Sequence, residues 1–181
     1  MTEPYAQNPA RQSDATQNQI NLNYDAAEDR ILIRATEGEK EYRAWWTRRL
    51  ALRIHKLFGE HDFPTENNAS HLQPEQQQSL GDMEKHGAVQ QADFSTPFKD
   101  DASHYPLGEE GILVQRVDIK TEGKLVRIIM LPSGGEGMTL ALPPGQRYSF
   151  EHMLQRVMTA AEWIAQTPVD TAGTPQPLLA H

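Results

Sequence analysis

An apolar pattern that occurs twice, with one interruption, is the strongest constraint on how this chain folds. From residue 20 to 58 and again from 112 to 164, apolar side chains recur first at every second position and then at helical spacing. Residues 59–111 between them keep neither period. Only the two periodic stretches carry enough apolar surface to offset the entropy of ordering, so the core is expected from them.

In the first stretch Ile20, Leu22 and Tyr24 alternate with Asn21 and Asn23, the signature of a half-buried strand. Residues 25–29 read as a turn. Arg30 to Thr36 is rich in β-branched residues and ends at Glu37-Gly38-Glu39, where Gly38 supplies the positive φ of a hairpin tip; Lys40 to Trp46 is the returning strand. Thr47 is placed to cap a helix over 48–58, whose Leu50, Ile54, Leu57 and Phe58 fall at i, i+4, i+7 and i+8. The second stretch repeats that order. Strands are expected over 112–120, 124–131 and 138–142, joined by a turn at Thr121-Glu122-Gly123 and a loose loop at 132–137. A helix capped by Ser149 then carries Phe150, Met153, Leu154, Val157, Ala161 and Ile164.

The expected fold is α+β: two βββα units, 19–59 and 112–166, forming a mainly antiparallel sheet of about six strands with the two helices packed on one face. Two facing three-stranded sheets, or a homodimer completed through a sheet edge, are the rival solutions. The repeated order suggests an internal duplication at the level of topology. Residues 1–18 and 167–181 read as disordered tails, and 60–111 as an acidic linker that docks in part. Residues 59–111 hold eleven acidic side chains against Lys85 and Lys99, a charge that opposes a core of their own. Within them Pro74–Ala92 can form one helix, weakened by about 1 kcal/mol at each of Gly81 and Gly87. Phe94 and Phe98 are expected to pack against the core.

Charge is segregated along the chain. The formal net charge is −8, yet from Arg43 to Lys56 there are five basic residues and no acidic one. Arg49, Arg53 and Lys56 at i, i+4 and i+7 line one helix face, and Arg43, Trp45, Trp46 and Arg48 lie at its start. These residues are the candidate binding set. Three occupants suit them: the acidic linker acting as a tethered cover, an acidic protein partner, or a single-stranded nucleic acid whose phosphates meet Arg and Lys and whose bases stack on Trp. The overall acidity disfavours the last, because it repels a phosphate backbone.

No constellation for catalysis accompanies this segment. The chain has no cysteine, which removes thiolate metal sites and cysteine nucleophiles. Histidines 55, 61, 71, 86 and 104 lack compact ligand spacing, Ser133-Gly134-Gly135-Glu136-Gly137 lacks the Lys-Ser/Thr of a phosphate loop, and no serine sits in a Gly-x-Ser-x-Gly elbow. The expected protein is therefore non-enzymatic, with no cofactor and no metal, an interaction or adaptor module. Its longest apolar run, Ile128–Leu131, falls far short of the roughly 20 residues that span a bilayer. Residues 1–18 lack the pattern of a secretion signal, so a cytoplasmic location without a membrane partner is expected.

Two resemblances accompany these residues. The order strand, strand, strand, helix in two copies resembles the repeated units of whirly and Pur-type single-strand binders, which use four strands per unit; it implies a fold and not a function. The strand Asp29-Arg-Ile-Leu-Ile-Arg34 and the junction Arg43-Ala-Trp-Trp-Thr-Arg-Arg49 are similar to segments of small uncharacterised proteobacterial proteins. That resemblance covers residues 20–58 and part of the second unit, and it implies kinship without an activity.

Overall fold

Residues 19–67 and 71–165 are described by the computed structural model; both segments read as tails, 1–18 and 167–181, lie outside the described residues. Strands β1 (Ile20–Asp25), β2 (Arg30–Glu37) and β3 (Lys40–Thr47) form an antiparallel meander with Leu22 opposite Ile33, Ile33 opposite Ala44 and Ile31 opposite Trp46. Strict alternation therefore sends Leu22, Ile31, Ile33, Ala44 and Trp46 to one buried face. Helix α1 (Arg48–Glu60) starts where β3 ends, and the Thr47 hydroxyl accepts the Leu50 N–H at 3.4 Å as a cap. Its buried residues are Ala51 and Ile54, with Leu50 and Phe58 packed beside them. Leu57, expected within that stripe, is instead 39% exposed.

Among its described residues the acidic linker carries a helix. Helix α2 (Pro74–Gln91) takes Pro at its first turn, where the missing N–H is not needed, and the Gln76 side chain accepts the Gln73 N–H at 3.2 Å. It buries no residue fully and lies against α3, defined below. A two-residue strand β4 (Ile112–Leu113) then pairs parallel with β3, giving a first sheet in the order β1-β2-β3-β4. At once the chain changes sheet. The Val114 N–H donates to the Trp45 carbonyl at 3.0 Å and the next N–H, Gln115, to the Leu131 carbonyl at 2.9 Å. Strands β5 (Arg116–Glu122), β6 (Leu125–Leu131) and β7 (Met138–Leu142) form an antiparallel second sheet, and helix α3 (Pro144–Ala160) follows.

The fold is thus α+β, with the element order βββα present in both halves. The strands divide between two sheets instead of sharing one, because the expected single strand 112–120 breaks at Val114 and lends its first two residues to the first sheet. Both sheets feed one core: Ile31, Ile33, Ala44 and Trp46 from the first, Ile128, Met130, Leu140 and Leu142 from the second, and Phe150, Leu154 and Met158 from α3. Trp46 sits at the junction, fully buried, its Nε1 donating to Met130 Sδ at 3.3 Å and its ring edge-on to Phe150 at 6.1 Å. Among the described residues no helix is long and apolar enough to cross a membrane.

Helix α3 begins at Pro144, ahead of the expected cap Ser149, whose hydroxyl donates within the helix to the Gly145 carbonyl at 3.1 Å. Pro143-Pro144 both ends β7 and starts the helix, with Pro144 at its first position. The extra turn brings in Arg147, which is buried, pairs with Glu151 at 2.5 Å and lies over the rings of Tyr148 and Phe63 at 4.2 and 5.3 Å. Lys85 of α2 reaches the same Glu151 at 3.3 Å, tying the linker helix to α3.

The end of α3 is a tight reversal. The Trp163 N–H bonds the Met158 carbonyl at 2.9 Å and the Glu162 N–H bonds that of Thr159 at 3.0 Å, the paired bonds of a Schellman motif with Glu162 at φ 58 in the glycine position. The reversal returns Trp163 to the core, where Nε1 donates to Asp29 at 2.8 Å and the ring meets Tyr24 edge-on at 5.4 Å. A glutamate in that conformation is strained, so Glu162→Gly is expected to stabilise the fold by about 0.5–1 kcal/mol after the greater backbone freedom of glycine in the unfolded chain is deducted. A urea titration checks this: the midpoint rises with an unchanged slope, whereas an unchanged or lower midpoint would show that the strain is absent.

Candidate interaction surfaces

The alternation that turns Trp46 and Ala44 inward turns Trp45, Arg43 and Glu41 of β3, and Arg34 of β2, to the opposite face. Arg34 and Arg43 stand directly opposite one another in the register. Two such cations repel, and Glu41 relieves them. Its Oε1 accepts from Arg34 Nε and from Arg43 Nε, both at 2.6 Å, and its Oε2 accepts from Arg34 Nη2 at 3.0 Å. Burial pushes the Glu41 carboxyl up, but the bonds from Arg34 and Arg43 outweigh it and leave it below the usual carboxylate range. The Glu41 bond in turn holds Arg34 protonated against the effect of its own burial, with Asp100 adding to it.

Glu41 is only 1% exposed although it lies on the face away from the core. The reason is a strap, residues 98–113, laid along the edge of β3. Phe98 lies over the Arg34 guanidinium at 4.2 Å and Tyr105 over that of Arg43 at 4.7 Å, while Asp100 pairs with Arg34. Main-chain contacts fix the register: the Glu41 N–H donates to the His104 carbonyl at 2.9 Å, Arg43 Nη1 to that of Glu109 at 2.6 Å and Trp45 Nε1 to that of Glu110 at 2.7 Å. Neither Phe94 nor Phe98 enters the core as expected. Phe94 rests on His152 of α3 at 5.3 Å, and Phe98 covers the arginine. Burial, followed by the Arg156 and Lys85 charges, pushes His152 down.

The candidate residues divide among three environments. Trp46 is wholly inside the core and has no face to offer a ligand. Arg43 and Trp45 face outward beneath the strap, and Arg30 lies 5.6 Å from the Trp45 ring. Arg48, Arg49, Arg53 and Lys56 are exposed on α1. Of these, Arg48 turns toward Trp163 at 6.0 Å, and Lys56 reaches Glu60 at 3.6 Å. Arg49 and Arg53 have no ion-pair partner among the described residues. The tethered cover expected over the basic helix is therefore found on the sheet, where the edge of β3 offers main-chain groups that a helix face lacks.

Sequence reading missed Arg34 and Glu41. A usable signal existed: Glu41 and Arg43 are two apart in a strand and so share a face, and the hairpin tip at Gly38 sets Arg34 across from them. Where α1, α2 and α3 meet, a cleft of about 190 Å³ is lined by His55, Lys56, Lys85 and Glu151 among others. Its Lys85 and Glu151 already pair with each other. No family model, curated protein or solved structure matches the chain.

Proposed function

We propose that this chain is a non-enzymatic interaction module, acting as an adaptor in the cytoplasm, that presents α1 to an acidic protein partner. One observation carries the reading. In a chain with a formal charge of −8, Arg49 and Arg53 stand exposed without an acidic partner among the described residues, beside Lys56 and the exposed Leu57. The first turn of α1 holds Arg48 and Arg49 and no acid, against the helix dipole, which costs about 0.3–1 kcal/mol for each misplaced charge. Fold stability does not account for such an arrangement, and an acidic partner offsets its cost on binding. The nucleic-acid alternative needs aromatic rings beside the cations. Trp46 is enclosed and Trp45 is engaged by the strap, so the exposed helix face carries cations and Leu57 but no tryptophan.

The test is capture from native extract by the full chain and by an Arg49→Glu, Arg53→Glu, Lys56→Glu variant, each with and without nuclease. The expected result is a specific protein held by the intact chain, insensitive to nuclease and lost by the variant. Equal capture by both forms sinks the proposal, and capture that nuclease removes transfers the site to nucleic acid.

A further inference from the structure

The strap lies on the first sheet as a bound ligand would. It runs parallel to β3, and its first half is held by arginine contacts more than by burial: Asp100 keeps 74% of its side chain exposed while paired with Arg34, and between 98 and 104 only Phe98 and Ala102 are even half-buried, whereas Leu107 and Ile112 in its second half pack on the core. Its ladder is minimal, a single bridge between His104 and Lys40 and the two pairs of β4, with residues 105–111 looping between them. Removing it would expose an arginine pair, a tryptophan and the main-chain groups of a strand edge, the combination that suits addition of an extended acidic segment.

We propose that the surface beneath the strap, formed by Arg34, Arg43, Trp45 and the edge of β3, is a docking site for an extended acidic segment of another protein, and that residues 98–113 are its resident imitation. The partner's chemistry follows from the strap's own: an aromatic ring for each guanidinium, a carboxylate two residues beyond the first ring to pair with Arg34, and a backbone free to bond a parallel edge. A second copy of this chain is the poorer occupant. The strap is continuous at one end with α2, packed on α3, and at the other with buried Val114, so exchange between copies would pull α2 from α3 and Val114 from the core. This site uses different residues from α1, and neither proposal needs the other.

Gly111 makes the test clean. It sits at φ 76, and a Cβ there would lie 2.6 Å from Arg43 Cβ and 2.7 Å from the Arg43 carbonyl oxygen, so Gly111→Ala drives the strap off β3. A fluorescein-labelled peptide of residues 96–114 is titrated into the full-length protein with and without this change. The variant is expected to bind it ~10-fold or more tightly than the unaltered protein, whose tethered strap competes at high effective concentration. Phe98→Ala with Asp100→Asn in the peptide should abolish the gain. Equal binding by both proteins, or no binding by a folded variant, overturns the proposal; so does a variant that dimerises and ignores the peptide. If the variant does not fold, hydrogen exchange on the unaltered protein decides. The Ser103 and His104 amides must exchange ~10-fold or more faster than those paired between β2 and β3, and strap amides that exchange only with the core defeat the idea.

Discussion

Glu41→Gln is expected to cost the fold about 3 kcal/mol, the scale of loss when one partner of a buried ion cluster is removed. The carboxylate accepts from both arginines, whose side chains are themselves only 13% and 24% exposed, so the neutral amide leaves two guanidiniums facing each other with Asp100 still paired to Arg34. The pH dependence identifies the cause. Because the Glu41 carboxyl is held below its ordinary value in the folded state, its contribution is fully present above the unfolded value of about 4.3 and fades as pH falls through the lowered folded value. Denaturant unfolding should therefore show a large gap between the two proteins at pH 7 and a narrower one in strong acid. A gap that stays constant would assign the loss to packing and not to charge. Adding Arg43→Met to the variant should recover part of the stability, since it removes one of the two unneutralised cations.

Trp46→Ala is expected to be the more damaging change, at about 3–5 kcal/mol. Against a total stability of about 5–15 kcal/mol for an ordinary domain, that is enough to leave a sizeable unfolded population. Trp46 joins the two sheets and α3 through Met130 and Phe150 and has no solvent-exposed surface, so the cavity would open at the one place where every layer meets. Trp45→Ala, one residue earlier, removes a half-buried ring whose polar contact is a single bond to the Glu110 carbonyl. It should cost clearly less and act mainly on the strap. Thermal unfolding of the two variants separates them, and a Trp45 variant as unstable as the Trp46 one would contradict the facing assigned to β3.

Strand positions were readable because alternation is local. The strands 30–36 and 40–46 and the hairpin tip at Gly38 follow from local residue types, but the adjacent Trp45 and Trp46 offer an aromatic ring to both faces of β3, so its inward side is not settled locally. The helix end points were less readable, as Pro143-Pro144 stops one element and starts the next. Leu57 shows the limit of periodicity: its spacing fits the apolar stripe, but the described residues leave it 39% exposed, and only packing reveals that. The partition of the strap is likewise invisible locally, since the contacts that hold Phe98, Asp100 and Tyr105 cross more than sixty residues of chain.

By itself, then, the sequence determined the α+β class, the element order repeated in two halves and the concentration of positive charge from Arg43 to Lys56, all of which depend on neighbours within a few turns or one hairpin. The tertiary structure alone decided that Trp46 is core while Trp45 is surface beneath a strap, that the chain changes sheet at Val114, and that the acidic linker lies on the β3 edge and leaves α1 open. Those outcomes depend on which distant groups compete for the same arginines and the same strand edge. A competition between segments so far apart in sequence is settled by geometry that no local pattern encodes.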